Sequence, residues 1–433
     1  MLTITENEPT PLLKDFAAFI DYLKTHKIIL TEANEFISGK NLFELNRQMA
    51  HPVQDTSTRT AQIYYPLFHL FYHLVLGGKL FKKIPEKNRI VLKLTDRLQS
   101  YKDLKPAEKY FFLLETFWTD INWAHLQPED FGSSPFNFRR IDTILADIGG
   151  MTPGKKIRLR EELRVSIYDL KYFFHYFSYF GFWEVTPYKI SPKRNYPAHA
   201  FMAESITPTV FGVAIAPVLN EARNLLEWNL PHRRKLGEYK PVPGSPVPGE
   251  EIYTLLAGNK KRKIPVSTTK VKKSKLGDPF CLPFVSLFAS GELQKTLPRG
   301  ESKPMDGIFV FKVSLEKNIW RRIELSSDHM LLDLHNSIQS AYGFGDDHLY
   351  SFFMDGKMQS DEVFTSPYDD TGPHVDVACI GDLGLTVGQK ILYLFDYGDM
   401  WRFQVELEEI RPKGIKPLNP KIIESKGKSP KQY

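Results

Sequence analysis

Apolar positions in the first part of the chain recur at helical spacing. Leu12 and Phe16 begin one such stripe, and residues three or four apart lie on the same face of a helix. Pro66 and Pro106 stand where two further apolar patterns begin, and proline favours the first turn of a helix. Residues 1–137 are therefore predicted to form a helical domain.

Helix and strand patterns follow each other over residues 138–230. A helical pattern runs over residues 159–180 and ends at Gly181, and a short strand pattern follows. After a basic loop, a second strand is predicted over residues 200–206 and a helix over residues 210–228. The order of helix, hairpin with a basic loop, and helix resembles a winged-helix module.

Basic side chains in this module and beyond it are candidate contacts for nucleic acid. In winged-helix proteins a helix enters the major groove, and basic loops meet phosphates. Residues 259–275 hold eight Lys or Arg and no acidic residue; such runs are usually solvated and disordered. The aromatic residues of the helix favour packing, or a protein–protein role, over contact with a major groove. The candidate nucleic-acid-binding residues are Lys189, Lys193, Arg194, Lys260, Lys261, Arg262 and Lys263.

Two further segments are predicted to lack a core of their own. Residues 231–300 begin with closely spaced prolines and glycines and continue into the basic run, which predicts a linker region. Residues 411–433 hold seven Lys or Arg and one Glu. This composition predicts a basic disordered tail.

A β-hairpin dominates the pattern of residues 301–410. Residues 390–396 are apolar on both faces, which predicts a central strand. Residues 401–408 alternate between apolar and polar side chains, which predicts a strand nearer the sheet edge. With the strands and the helix before it, the order is ββα, strand, long loop, ββ. We therefore predict an α+β chain whose C-terminal domain is a β-grasp-like sheet packed on one helix.

Three segments of this domain resemble the plasmid pRiA4b ORF-3-like family over residues 306–410. They read FVFKVSLEKNIWRRIEL, DLHNSIQSAYGFGDDHLYSFFMDG and YLFDYGDMWRFQVELEEI. Met400 and Phe403 depart from the family pattern, in which many members carry an acid and a histidine. The resemblance implies an origin on plasmids or near mobile elements, without implying an activity. The matching positions include Trp320, His335, Asp347, His348, Asp396, Gly398, Asp399 and Trp401.

Three of these residues raise the question of chemistry. Asp396, Asp399 and His348 could converge at one sheet end and hold a divalent cation, as in a metal-dependent hydrolase or nuclease. The structural alternative, which we favour, is that Asp396 accepts N–H bonds of its turn and Trp401 packs in the core. We therefore predict no catalytic residue, no metal and no cofactor. His69 and His73 share a helix face, but we expect hydrogen-bonded histidines beside a core rather than a metal site.

Charge is segregated along the chain, and this shapes the predicted function. The net charge is +6, yet residues 276–410 hold 10 basic and 22 acidic side chains, so this domain repels phosphate. We predict a non-enzymatic binding or adaptor protein with a protein partner at the C-terminal domain. DNA contact through the basic middle is an open part of this prediction. Two cysteines and no recognisable signal peptide predict a cytoplasmic protein with no membrane partner.

Overall fold

The chain divides into two compact units in the computed structural model. Unit 1 comprises Met1–Pro231 and Val242–Pro298, and unit 2 comprises His232–Pro241 and Arg299–Tyr433. Each unit has its own hydrophobic core. The structure describes residues 1–87, 89–127, 138–165, 170–188, 201–247, 276–299, 304–358, 360–412 and 414–432.

Unit 1 is mainly helical and carries two small antiparallel sheets. β1 (Phe81–Glu86) and β2 (Arg89–Leu94) form a hairpin that the helical pattern of this region does not predict, and β3 (Ile157–Arg158), β4 (Trp183–Pro187) and β5 (Ala203–Pro208) pair in the order β3-β5-β4. No helix in the described part of the chain is both long and apolar enough to cross a membrane. The helices are α1 (Leu12–Thr25), α2 (Gly39–Asn46), α3 (Pro66–Gly77), α4 (Arg97–Lys102), α5 (Pro106–Glu115), α6 (Phe138–Gly149), α7 (Lys171–Tyr179), α8 (Val210–Ala222) and α9 (Leu225–Trp228), and α10 (Leu230–Lys235) follows.

The boundary predicted at residue 137 does not separate two units. Trp123, on its N-terminal side, lies 5.0 Å from the ring of Phe173 in α7, and the indole N–H of Trp118 donates to the carbonyl of Arg223. All four residues are buried. The apolar faces of both parts are thus buried against each other in one core.

Local sequence explains where several helices begin. α3 and α5 begin at Pro66 and Pro106, as predicted. α8 is capped by Thr209, whose Oγ1 accepts a hydrogen bond from the N–H of Gly212 at 2.8 Å. A Cβ at position 212 would lie 1.8 Å from the carbonyl oxygen of Phe182. Only glycine therefore allows α8 to lie this close to the start of β4.

The helix predicted over residues 159–180 is wrong in its first part. Helix α7 begins at Lys171, and the chain forms β3 and a series of turns over residues 157–165; residues 166–169 lie outside the described residues. Ile157 and Leu159 are buried and Arg158 is exposed, which is the period of a strand rather than of a helix.

The helix predicted over residues 210–228 is interrupted after Ala222. Arg223 leaves the helical conformation, with φ −134° and ψ 52°. Asn224 then caps α9 by accepting the N–H of Leu226 through its side chain. The apolar spacing continues through the break, so spacing alone does not locate it.

The linker predicted over residues 231–300 is wrong in its last part. Phe280, Phe284 and Phe288 are buried in the core of unit 1, at a spacing of four residues. The guanidinium of Arg223, fully buried, donates to the carbonyls of Pro279 and Phe280 at 2.7 and 3.0 Å. Three buried rings and a buried hydrogen-bonded charge hold this segment in unit 1. The basic run lies outside the described residues.

Unit 2 is a seven-stranded antiparallel sheet packed on one helix, α11 (Leu331–Tyr342). Leu334, Ile338 and Tyr342 of α11 are buried against apolar side chains of the sheet. This arrangement confirms the predicted α+β class and a C-terminal sheet packed on one helix. In the order β12-β7-β6-β11-β10-β8-β9, the strands are β6 (Ile308–Glu316), β7 (Ile319–Ser326), β8 (Tyr350–Phe353), β9 (Val363–Thr365), β10 (Lys390–Phe395), β11 (Trp401–Arg411) and β12 (Lys421–Lys426).

The predicted hairpin exists, but its second strand is not near an edge. β10 lies between β8 and β11, as its two apolar faces predict. β11 lies between β6 and β10, so its predicted place nearer the edge is wrong. The alternation of apolar and polar residues in β11 shows that one face of the sheet is polar. A central strand can have a polar face as well as an edge strand can.

The tail predicted to be disordered contains strand β12, which pairs with β7. Arg321 of β7 is buried, and its guanidinium donates to the carbonyl of Lys426 at 2.9 Å and to Ser429 Oγ at 2.8 Å. The lysine-rich composition of the tail does not predict this strand, because a short edge strand needs little apolar surface. The domain therefore extends beyond the boundary predicted at residue 410.

Truncation after Pro420 should destabilise unit 2 by about 2–4 kcal/mol, because Arg321 loses two acceptors of charged hydrogen bonds. Truncation after Ser429 is the control, since it keeps β12 and both acceptors. The measurement is the hydrogen exchange of the β7 amides together with thermal unfolding. Equal protection of β7 in the two truncated proteins would contradict this assignment.

Candidate functional site

Most of the family-motif residues lie at one end of the unit 2 sheet. Phe395, at the end of β10, pairs with Trp401 across the hairpin and with Tyr350 on β8. The β10–β11 turn and the segment before β8 therefore meet there. We call His335 together with residues 344–350 and 395–401 the motif end.

A buried hydrogen-bonded chain forms the inner part of the motif end. His335 of α11 is fully buried, with Nε2 2.9 Å from Asp346 Oδ1 and Nδ1 2.8 Å from the hydroxyl of Tyr393. The amide of Gln339 donates to the same hydroxyl at 2.7 Å. The His335 ring stacks on Tyr350, with centroids 3.5 Å apart. This chain joins α11 to β8 and β10.

The donor and acceptor capacities of these groups show which atom donates each hydrogen bond in this network. The carboxylate of Asp346 only accepts, so Nε2 of His335 carries the proton. Burial lowers the pKa of His335, although Asp346 opposes this shift, so the ring is neutral and its Nδ1 accepts from the hydroxyl of Tyr393. Burial also raises the pKa of Tyr393 well above its ordinary value. At neutral pH neither ring is poised to exchange a proton.

Asp396 stabilises the turn between β10 and β11. Its φ is +57°, a conformation that aspartate tolerates better than most residues. Its Oδ1 accepts the N–H groups of Gly398 and Asp399 at 2.8 and 3.3 Å, and its carbonyl accepts the N–H of Met400 at 2.7 Å. The prediction that Asp396 accepts turn N–H bonds is confirmed.

His348 lies beside this turn but does not complete a metal site. Its Nε2 is 3.6 Å from Asp396 Oδ2 and 3.6 Å from Asp347 Oδ2, beyond a normal hydrogen bond. Asp399 is exposed. Within the described residues, no group of three or more His, Cys, Asp or Glu is arranged to hold a metal ion.

The two motif tryptophans lie on opposite faces of the sheet. Trp401 is half-buried and packs on Phe344, with ring centroids 4.9 Å apart, so it lies beside the core rather than deep inside it. Trp320 contacts the cations of Lys312 and Arg322 at 5.2 and 4.9 Å. Its neighbour Arg321 reaches the carbonyl of Ala341 in α11, so Trp320 faces away from α11 and is not part of the motif end.

The two departures from the family pattern also have local explanations. Phe403, where many members carry a histidine, is fully buried and packs edge-on to Tyr342 at 4.9 Å. Met400 has φ +57° and is half-buried at the end of the turn. At both positions this sheet thus has an apolar side chain where the family pattern has a polar one.

Carboxylates surround the exposed side of the motif end. Burial raises the pKa of Tyr350, and the charges of Asp346 and Asp376 raise it further, so both carboxylates lie near that ring. We call Asp346, Asp347, Asp376 and Asp399 the acidic rim. All four are exposed, and among the described residues none of them pairs with a lysine or arginine. Exposed apolar and aromatic residues of this region are Leu349, Tyr368 and Tyr397.

Sequence patterns do not identify several of these residues. Tyr393 lies within an apolar strand, and the sequence pattern does not show that its hydroxyl takes part in a buried hydrogen-bonded network. Asp376 lies in a long loop whose position relative to Tyr350 depends on the fold. Asp346 is the exception, because it directly precedes the motif residue Asp347, and that acidic pair is a usable signal.

The residues predicted to contact nucleic acid lie outside the described residues. These are Lys189, Lys193, Arg194, Lys260, Lys261, Arg262 and Lys263. The helix α7, predicted to enter a major groove, is described, and none of its side chains is exposed. Its Tyr172 and Tyr176 hydroxyls donate to the carbonyls of Ile63 and Leu126. Six of its nine side chains are buried and the other three are half-buried, so most of α7 packs in the core of unit 1.

Of the histidine pair in α3, His69 is fully buried and hydrogen-bonded, as expected, whereas the buried Nε2 of His73 has no hydrogen-bond partner among the described residues. His69 Nδ1 lies 3.2 Å from the amide of Gln62, and its Nε2 lies 2.8 Å from the carbonyl of His125. Both ring nitrogens of His69 therefore have partners within the protein. Burial lowers the pKa of His69 to about 4, so the ring is neutral at physiological pH.

Comparisons with known proteins concern the C-terminal part of the chain. Residues 307–432 match the family model of the plasmid pRiA4b ORF-3-like protein. An uncharacterised protein, y4hQ of Sinorhizobium fredii, is 28% identical over 120 residues, which are 27% of this chain and 59% of the relative. This chain thus spans less than two thirds of that relative. A solved protein of unknown function, MM3350 of Methanosarcina mazei Go1, is 26% identical, and the match covers 29% of this chain and 72% of that chain with a TM-score of 0.25.

Replacing Asp396 separates a structural role from a catalytic one. Asp396→Asn keeps an acceptor for the turn amides and should change the free energy of unfolding by less than about 1 kcal/mol. Asp396→Ala loses the acceptor at a positive φ and should cost about 2–3 kcal/mol. Chemical denaturation of both variants measures the difference. Metal-dependent DNA cleavage by the wild type that Asp396→Asn abolishes, with the fold intact, would contradict the structural role.

Proposed function

With residues 307–432 matched to the plasmid pRiA4b ORF-3-like family, we propose that this protein is a non-enzymatic binding protein that acts as an adaptor. Unit 2 binds a cationic protein surface through the acidic rim. The basic middle of the chain contacts nucleic acid.

The observation that supports the proposal is the acidic rim, whose carboxylates have no lysine or arginine partner among the described residues. Exposed apolar and aromatic side chains lie in the same region, namely Leu349, Tyr368 and Tyr397, whose exposed fractions are 40%, 88% and 45%. Carboxylates bind arginine and lysine, and exposed aromatic rings add apolar contact and cation–π attraction. Such a mixture of tyrosine and charge fits a protein surface better than a small-molecule pocket.

The inner part of the motif end supports a role without catalysis. His335 and Tyr393 are buried and neutral, and each is used in internal hydrogen bonds. Asp396 is 5% exposed and holds the turn amides. A metal-dependent hydrolase would require additional ligands converging on His348 and Asp396, and the described residues supply no such group.

The nucleic-acid half of the proposal rests on charge and topology. The order α6, β3, α7, β4, β5, with sheet order β3-β5-β4, fits the winged-helix resemblance of this region. Because most of α7 packs in the core of unit 1, the contact is assigned to the basic loop at Lys189, Lys193 and Arg194 and to the run of residues 259–275. Binding through such lysines and arginines is not sequence-specific and weakens as salt is added.

Affinity capture of the full chain, scoring protein and nucleic acid together, tests both halves. The rim variant carries Asp347→Asn, Asp376→Asn and Asp399→Asn; Asp346 is left in place because it bonds to His335. Its control carries Glu32→Gln, Asp147→Asn and Glu316→Gln, three exposed acids elsewhere. A third variant replaces residues 260–263 by glutamine.

The rim variant should lose basic protein partners by about tenfold, and the matched control should retain them. Nuclease treatment should leave this protein capture unchanged. The variant at residues 260–263 should lose nucleic acid and keep the protein. Equal protein capture by the rim variant and the wild type would contradict the adaptor role, and nucleic-acid capture unaffected at residues 260–263 would remove that half.

A further inference from the structure

β12 presents the outer edge of the unit 2 sheet to solvent. It is the terminal strand on its side and pairs only with β7 among the described strands, and all six of its residues are exposed. In an antiparallel pair, backbone N–H and C=O groups of alternate residues point away from the partner strand. An edge of this kind is a template for one more strand.

We propose that the outer edge of β12 takes up an extended acidic segment of a partner protein as an added strand. This surface is distinct from the acidic rim, which has the opposite charge. The proposal therefore does not depend on the function assigned to the rim.

Four exposed apolar side chains lie in β12 or in the segment just before it. Ile422 and Ile423 are each 46% exposed, and Leu418 and Ile415 before the strand are 90% and 97% exposed. The register with β7 shifts between Ile422 and Glu424, so Ile423 has no residue opposite it. Bulges and lysines often protect a sheet edge from pairing. Protection of the edge does not explain why four apolar side chains are exposed in one short segment. A strand added along β12 would pack beside Ile422 and Ile423.

The charge of the edge selects an acidic partner. Lys421, Lys426, Lys428 and Lys431 form no ion pair within the described part of the chain, whereas the acid of the strand, Glu424, pairs with Arg322. The edge therefore offers unpaired positive charge beside its apolar side chains. An extended segment that alternates apolar and acidic residues would satisfy both.

The same charges disfavour a second copy of this chain as the occupant. An antiparallel pairing of two β12 strands, centred on the strand, would place Lys421 of each copy opposite Lys426 of the other. A parallel pairing in register would place each lysine opposite itself. Like charges directly opposite each other destabilise strand pairs, so a partner of opposite charge is favoured.

A labelled synthetic peptide of alternating valine and glutamate is the probe, with the full chain at low salt. Two control peptides are the valine–lysine analogue and a valine–glutamate peptide N-methylated at alternate residues, which cannot pair along one edge. The edge variant carries Lys421→Glu and Lys426→Glu. Its matched control carries Lys40→Glu and Lys317→Glu, two exposed lysines elsewhere. Fluorescence anisotropy reports binding, and hydrogen exchange reports the amides of β12 and β7.

The valine–glutamate peptide should bind and protect the β12 amides, and affinity should fall about tenfold in the edge variant but not in its control. Protection of β7 amides in the free variant verifies that the sheet is intact. Equal binding of the N-methylated or the lysine peptide would overturn the proposal. Absent β12 protection, or dimerisation that protects β12 without peptide, would also overturn it.

Discussion

The buried hydroxyl of Tyr393 is the interaction on which the C-terminal unit depends most. It lies in the middle of the sheet, accepts from Gln339 and donates to His335, both on α11. An unsatisfied polar group in such a place would cost about 1–3 kcal/mol. The helix must therefore sit in one register on the sheet, and this register fixes Asp346 at the surface. Packing of apolar side chains alone would tolerate small slips that this network does not.

This constraint divides the motif end into an interior and a surface. In the interior, His335 and Tyr393 are neutral and hydrogen-bonded to each other, and Asp396 accepts N–H groups of its turn, so these groups serve the fold. The buried Gln339 Oε1 and Trp401 Nε1 have no hydrogen-bond partner among the described residues. The surface carries exposed rings and carboxylates, and the carboxylates of the acidic rim have no lysine or arginine partner among the described residues. Unit 1 follows the same logic, since the aromatic residues of α7 are used for packing. The functions proposed for both units thus depend on side chains that the cores do not use.

The sequence predicts elements whose patterns are local and fails where partners are distant. The β10–β11 hairpin, α1, α3 and α11 follow from spacing, proline and glycine positions. The sequence does not predict β12 or the ordered segment after Pro279, because the residues that hold them, Arg321 and Arg223, lie in other parts of the chain. In the same way, Asp396 could be assigned from its turn, but the link from Asp346 through His335 to Tyr393 requires the fold. The composition of a segment gives its charge, but it does not show that the segment pairs with a strand elsewhere in the chain.

The protonation state of His335 is the measurement that tests whether the Asp346–His335–Tyr393 network is a neutral, structural one. Nitrogen chemical shifts of its ring, followed by NMR over the pH range around neutrality, distinguish the two neutral tautomers and the cation. We predict a neutral ring protonated at Nε2, which begins to titrate only below the ordinary histidine pKa because burial disfavours its charged form. A ring that is positively charged at neutral pH, or protonated at Nδ1, would contradict it and return the motif end to consideration as a reaction centre.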